Sequence, residues 1–209
     1  MERMNIKEKA KIFATEAHEG QIRKSNGKPM IYHPIAVAEM LEDFGYDDEI
    51  VAAGYLHDYI EDTKRGTESM RRILGDRIVY LVKLATEPNK SIAWEKRKIS
   101  TIMTARDNPI NDVAVILADK IHNIEDTTNE LKIQGLAVFN CFNASIEQIL
   151  WYYESVYKSV SQHDIPIVKR LEEAIINLKE EIEYQTELEK RLDGDVVTLK
   201  KKRNSLLSE

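Results

Sequence analysis

The chain has 209 residues, 43% hydrophobic and 32% charged, with a formal net charge of −6, so it can bury one core but does not bind nucleic acid by a generally basic surface. Eight glycines and five prolines are too few for a turn-rich all-β fold, and the single cysteine, Cys141, excludes an internal disulfide or a Cys-rich zinc site. The N-terminus is charged rather than basic then apolar, and the longest apolar run is only Val113 to Ala118, so neither a signal peptide nor a membrane span is expected and the reducing cytoplasm is the expected setting.

Residues 5–19 place Ile6, Ala10, Phe13, Ala14 and Ala17 at helical spacing and stop at Gly20. A loop follows whose Gly20, Ser25, Asn26, Gly27 and Pro29 are turn formers and whose Arg23, Lys24 and Lys28 are basic. Pro34 suits a first helical turn, which predicts a second helix over 34–44 ending at Gly45. The segment 47–62 opens with acids and continues with Ile50, Ala53, Gly54, Leu56 and Ile60, which predicts one unbroken helix. Shorter helices are expected over 67–74 and 77–86, and an amphipathic basic one over 91–106.

After the Asn108-Pro109 turn, the run from Asp112 to Asp126 reads as a helix, because Leu117, Ile121 and Ile124 continue the pattern beyond strand length. Residues 137–160 predict a long helix closing the bundle. Beyond Pro166 the pattern places Leu171, Ile175, Leu178 and Ile182 at 4-3-4 spacing, a stripe that either folds back on the bundle or pairs with a second copy, pairing being the favoured expectation, with Gly194 interrupting before the basic run Lys200 to Arg203. The fold class is therefore all-α.

The chemistry concentrates in few residues. The dipeptide His57-Asp58 lies in an otherwise apolar helix, where an unpartnered charge is expensive. Adjacent helical residues point about 100° apart, so both reach one ion only if it lies between them. His33 at the start of the second helix and Asp119 inside the apolar run are comparable candidates. Two imidazoles with two carboxylates suit a divalent cation such as manganese, iron or zinc. Glu61 and Asp62 follow the dyad by one helical turn and face the same side.

The three segments HEGQIRKSNGKPMIYHP, AAGYLHDYIEDT and LADKIHN, in this order, resemble the HD-domain hydrolases, specifically the hydrolase domain of the RelA/SpoT alarmone enzymes. The resemblance implies metal ligation by His33, His57, Asp58 and Asp119, with manganese as the ion, and catalysis by Glu61 and Asp62. It further implies that Arg23 and Lys24 contact the guanine base and phosphates, joined by Asn123 and by Tyr152, for which Tyr153 is an equal candidate. The implied substrate is a guanosine polyphosphate cleaved at its 3′-diphosphate. The HD-domain hydrolase is expected over 1–165 and a helical extension over 166–209, which leaves no length for a synthetase domain. One departure stands out: the family's Arg two positions after Asn123 is here Glu125, followed by Asp126.

Overall fold

The structure, a computed structural model, describes residues 4–63 and 66–206. Helix α1 (Ile6–Ala17) begins where Asn5 accepts the Glu8 N–H and Glu8 in turn accepts the Asn5 N–H, a capping box that satisfies two otherwise free donors. Next come α2 (Tyr32–Asp43) and α3 (Asp48–Leu56), the latter started by Asp47 accepting the Glu49 and Ile50 N–H groups. The chain continues through α4 (Tyr59–Asp62), α5 (Glu68–Leu74), α6 (Asp76–Ala85) and α7 (Trp94–Asp107) to α8 (Ala114–Gln134). A 3-10 helix (Gly135–Cys141), α9 (Ile146–Val160) and α10 (Pro166–Leu206) complete it. Among the described residues there is no strand beyond one isolated bridge between Ile22 and Pro29 in the basic loop.

Helix α8 is the axis of the bundle. Its residues from Ala114 to Ile121 are buried without a break, because α2, α3, α6 and α10 pack around it. An all-round apolar helix must be covered on every side. The expected all-α class therefore holds, while several boundaries move.

The segment 47–62 is not one helix: α3 stops at Leu56 and α4 starts at Tyr59, with His57 and Asp58 at the junction. The long helix expected over 137–160 begins only at Ile146, because Ser145 accepts the Gln148 N–H and the Gln148 side chain returns to the Ser145 N–H. Helix α8 overruns Asp126 to Gln134 and ends where Gly135 takes φ +62°, a conformation that Gly adopts without a Cβ penalty.

The expected pairing of the C-terminal stripe with a second copy is also corrected. Leu171, Ile175 and Leu178 are buried within this chain, α10 lying along α8 and touching α9, so the stripe is already covered. Helix α10 runs through Gly194 rather than stopping there, and the side chains of Lys200 to Arg203 lie outside the described ones. No helix among the described residues is long and apolar enough to cross a membrane.

Because Leu178 is fully buried between α10 and α8, Leu178→Ala should lower the unfolding free energy by about 2–5 kcal/mol, the usual cost of an unrefilled core cavity. Urea denaturation measures it, and a loss below about 1 kcal/mol would mean that α10 is not docked on the bundle.

Candidate metal centre

Three chain segments meet at one point. His33 sits in the first turn of α2, entered through a tight turn in which the Tyr32 and His33 N–H groups donate to the Pro29 and Met30 carbonyls. Helix α3 lies close against α2 because Gly54 has no side chain: a Cβ there would meet Leu41 Cδ1 at 2.7 Å and Ala38 Cα at 3.1 Å. That close approach sets His57 against His33, with their Nε2 atoms 3.1 Å apart. The break between α3 and α4 then does what a regular helix does not, since it turns two consecutive side chains to one place. Asp58 Oδ2 lies 3.2 Å from His57 Nε2 and 3.6 Å from His33 Nε2. From α8, Asp119 Oδ1 reaches to 3.1 Å from His33 Nε2 and 3.7 Å from His57 Nε2.

The outer nitrogens fix how these rings present themselves. His57 Nδ1 lies 2.8 Å from the Gly54 carbonyl, which can only accept, so Nδ1 carries the hydrogen and Nε2 of the neutral ring is a lone pair. His33 Nδ1 lies 2.9 Å from His122 Nδ1, and with the hydrogen on His33 Nδ1 the His33 Nε2 lone pair faces the same point. His122 can accept because burial, aided by the neighbouring His33 and Arg23 charges, pushes it down to about 4 and keeps it neutral. Two lone pairs and two carboxylates that converge in this way need a positive charge among them, and one donor atom each from His33, His57 and Asp58 lies within 4.8 Å of the others. The donor set fits a divalent cation of the nitrogen- and oxygen-binding kind.

The electrostatics agree. Burial opposes charge on His57, yet the Asp58 and Asp119 carboxylates outweigh it and push the ring up to about 9. Burial alone would raise Asp58 and Asp119, but the His57 charge holds Asp58 below the usual carboxylate range and the Lys120 ammonium does the same for Asp119. Lys120 and Asn123 both donate to Asp119, one to each carboxylate oxygen.

The cluster opens on a cavity of about 670 Å³. Glu61 and Asp62 line it together with His33, Asp58 and Asp119. Burial, assisted by the Asp58 charge, pushes Glu61 up to about 7, although its carboxylate accepts the Glu87 N–H at 2.6 Å. Burial also raises Asp62, and Lys90 stands 3.5 Å from it.

The basic loop forms another wall of the same cavity. Arg23 Nη2 donates to Asn123 Oδ1 at 3.1 Å and pairs with Asp126 at 3.0 Å, while Lys24 lines the cavity as an exposed side chain. Tyr152 is not on the wall: it is buried behind it, with the Lys98 ammonium 4.7 Å and the Lys120 ammonium 5.7 Å from its ring centroid. Glu125 turns away from the cavity and makes a bidentate pair with Arg170 of α10, at 2.9 and 3.0 Å. The charge reversal therefore leaves the cavity untouched.

Sequence reasoning passed over three residues, His122, Lys120 and Glu87. His122 had a signal, since its HN dipeptide was quoted for Asn123 alone. Lys120 looked like an ordinary surface lysine, although it sits in an apolar run. Glu87 had no usable signal, and the basic cluster Lys96, Arg97 and Lys98 reads in the sequence more readily as a solvated face than as a source of phosphate charge; in the structure Glu87 takes Arg97 at 2.7 Å and Lys98 at 2.5 Å, and all three line the cavity.

Comparison with known proteins gives a consistent picture. A profile of the HD domain family matches residues 10–145. The probable guanosine-3′,5′-bis(diphosphate) 3′-pyrophosphohydrolase of Synechocystis sp. is 36% identical over 121 residues, which are 56% of this chain but only 16% of that longer protein. The crystal structure of lmo0812 from Listeria monocytogenes EGD-e superposes with a TM-score of 0.64 at 30% identity, over 68% of this chain and 96% of that one. A metazoan ortholog of SpoT, described as hydrolysing ppGpp, shares the fold with a TM-score of 0.61 at 22% identity, over 90% of this chain and 98% of that one. The profile match includes the whole cluster from His33 to Asp119, and this chain belongs to the HD-domain family.

Proposed function

We propose that this HD domain is a metal-dependent hydrolase of guanosine 3′-diphosphate 5′-di- or triphosphate, yielding GDP or GTP and pyrophosphate. One observation supports the reading: the His33, His57 and Asp58 cluster with Asp119 beside it, a buried carboxyl poised near neutrality and a basic loop border one cavity. The name of the Synechocystis relative supports the same reaction.

In this reading His33, His57, Asp58 and Asp119 hold one divalent ion, a set that suits manganese, iron or zinc, with manganese the first choice by resemblance to the family. When bound, the ion supplies Lewis acidity and a water of lowered pKa. Glu61, poised near 7, takes a proton from the attacking water and returns it to the ribose O3′ as the phosphorus–O3′ bond breaks and the water oxygen bonds to phosphorus. Asp62 helps to orient that water. Arg23 stacks on the guanine and Lys24 and Asn123 meet the nucleotide, roles that suit a planar guanidinium and a point charge. Residues 1–165 carry the hydrolase, residues 166–209 are a helical extension whose Leu171, Ile175 and Leu178 pack on it, and the setting is the cytoplasm.

Turnover of a panel of 3′- and 5′-phosphorylated nucleotides with manganese tests the substrate. Pyrophosphate released in step with GDP is expected, and release of orthophosphate from every active nucleotide would overturn the assignment.

The ligand and catalytic roles separate by metal content. Asp58→Ala should lose both bound metal and activity, because the remaining donors are left poorly organised. The double variant Glu61→Gln with Asp62→Asn should keep the metal and slow turnover about a hundredfold or more, the usual size of acid–base assistance. Elemental analysis beside kinetics checks both, and full metal content in a folded Asp58→Ala protein would remove that ligand from the site.

A further inference from the structure

Helix α7 turns one face to the bundle and leaves the opposite one bare. Thr101 and Ala105 are buried on the inner side, whereas Ile99 and Met103 on the outer side are 44% and 47% exposed, with Trp151 of α9 beside them at 41%. At about 100° per residue, the outer residues fall within one arc of about 120°. Ile99 and Met103 form its centre, Glu95 and Arg106 one edge, and Lys96 and Asp107 the other, and all six are exposed. A groove runs on each side of the Ile99 ridge, one of about 320 Å³ against Trp94 and Trp151 and one of about 360 Å³ against Ser100 and Thr104. Large apolar side chains gathered between charged edges mark a contact surface. Unlike the stripe on α10, this one is left uncovered by its own chain.

The order of charges along the edges says what covers it. Each edge carries one acid and one base, five or six residues to either side of Thr101, which is midway between Ile99 and Met103. When a second α7 is laid against the first end for end, about a two-fold axis at the level of Thr101, like edges meet. Glu95 of each copy then stands within about 1.5 Å of the level of Arg106 of the other, and Lys96 within about 1.5 Å of the level of Asp107. Ile99 of each copy comes level with Met103 of the other, on opposite sides of the seam, so the two interleave. Laid in parallel, the same helices would set every charge against its own kind. A stripe that complements itself end for end is what an isologous contact requires. The partners are free to exchange: Arg106 pairs with its neighbour Asp107 at 2.7 Å, but both are more than half exposed, and Glu95 takes only a long 3.5 Å contact from Gln148.

We propose that the outer face of α7 is the contact between two copies of this chain, packed antiparallel about a two-fold axis, with Trp151 of α9 widening it. The contact stands apart from the hydrolase reading, because none of its residues lines the cavity. A helix of 14 residues is about 21 Å long, so the interface is small and the dimer reversible.

Sedimentation velocity of the full chain from about 1 to 500 µM, a range that brackets a small interface, should show monomer passing into dimer. Met103→Glu places like charges at the seam and should leave monomer throughout, with the fold intact in a thermal melt because the side chain is exposed. Should that variant fail to fold, Ile99→Glu takes its place with the same expected loss. Glu95→Arg alone and Arg106→Glu alone should each weaken the dimer about tenfold, since the repulsion that each creates occurs twice across the two-fold axis. Glu95→Arg and Arg106→Glu combined should restore it. The two positions are eleven residues, about 16 Å, apart along one helix, so only contact between copies links them. A protein monomeric over the whole range, a dimer that survives the folded glutamate variant, or a combined variant no stronger than the single ones overturns the contact.

Discussion

Two imidazole lone pairs set 3.1 Å apart repel unless something positive lies between them, and most of the structure follows from holding them there. Each ring is locked from behind, His57 by a backbone carbonyl and His33 by another imidazole. Fixing the outer nitrogen decides which inner nitrogen is free, and this is how residues around a metal site tune its ligands. The carboxylates of Asp58 and Asp119 then make the point strongly attractive to a cation. A proton meets that demand in part, which is why His57 is pushed up to about 9; a divalent ion meets it fully.

Such an arrangement costs stability, and the helices around it show where that cost is offset. Gly54 gives up a side chain so that α2 and α3 approach, and the α3–α4 break gives up helical continuity so that consecutive side chains converge. Asp119 is a carboxylate inside the buried apolar run of α8, tolerable because Lys120 and Asn123 donate to it. The unbroken burial of Ala114 to Ile121 under the neighbouring helices keeps Asp119 and Lys120 in register.

The fold class and the members of the cluster were legible in the sequence because each depends on a local pattern. Apolar periodicity marks α1, α2 and α8, and charged residues inside apolar runs mark His57, Asp58 and Asp119. What was not legible depends on competition between patterns or on distant partners. Apolar spacing over 137–160 concealed the Ser145 to Gln148 capping box, which restarts the helix. The dyad junction carries neither Gly nor Pro, so nothing local announces it. The stripe on α10 was read correctly as apolar, but its spacing is the same whether the partner is α8 of the same chain or a second copy. Glu87 and Lys98 became part of the site only through the way α7 is laid against the bundle.

Glu125 shows how position on a helix decides the meaning of a charge. At this place an acid facing the cavity would repel a polyphosphate, and the sequence alone points that way. Helix α8, however, presents the cavity with Asp119, Lys120 and Asn123, while α10 lies against its other side. Glu125 falls on that other side, where Arg170 meets it with two hydrogen bonds and also lies 5.9 Å from the Phe44 ring centroid. The acid therefore belongs to the seam that docks α10. Next along the helix, Asp126 turns the opposite way and holds Arg23 and Asn26 of the basic loop. Two adjacent acids thus serve two structures: Glu125 fastens the extension to α8 and Asp126 fastens the loop. The same helix that sets Asp119 beside the two imidazoles fixes both elements that border them.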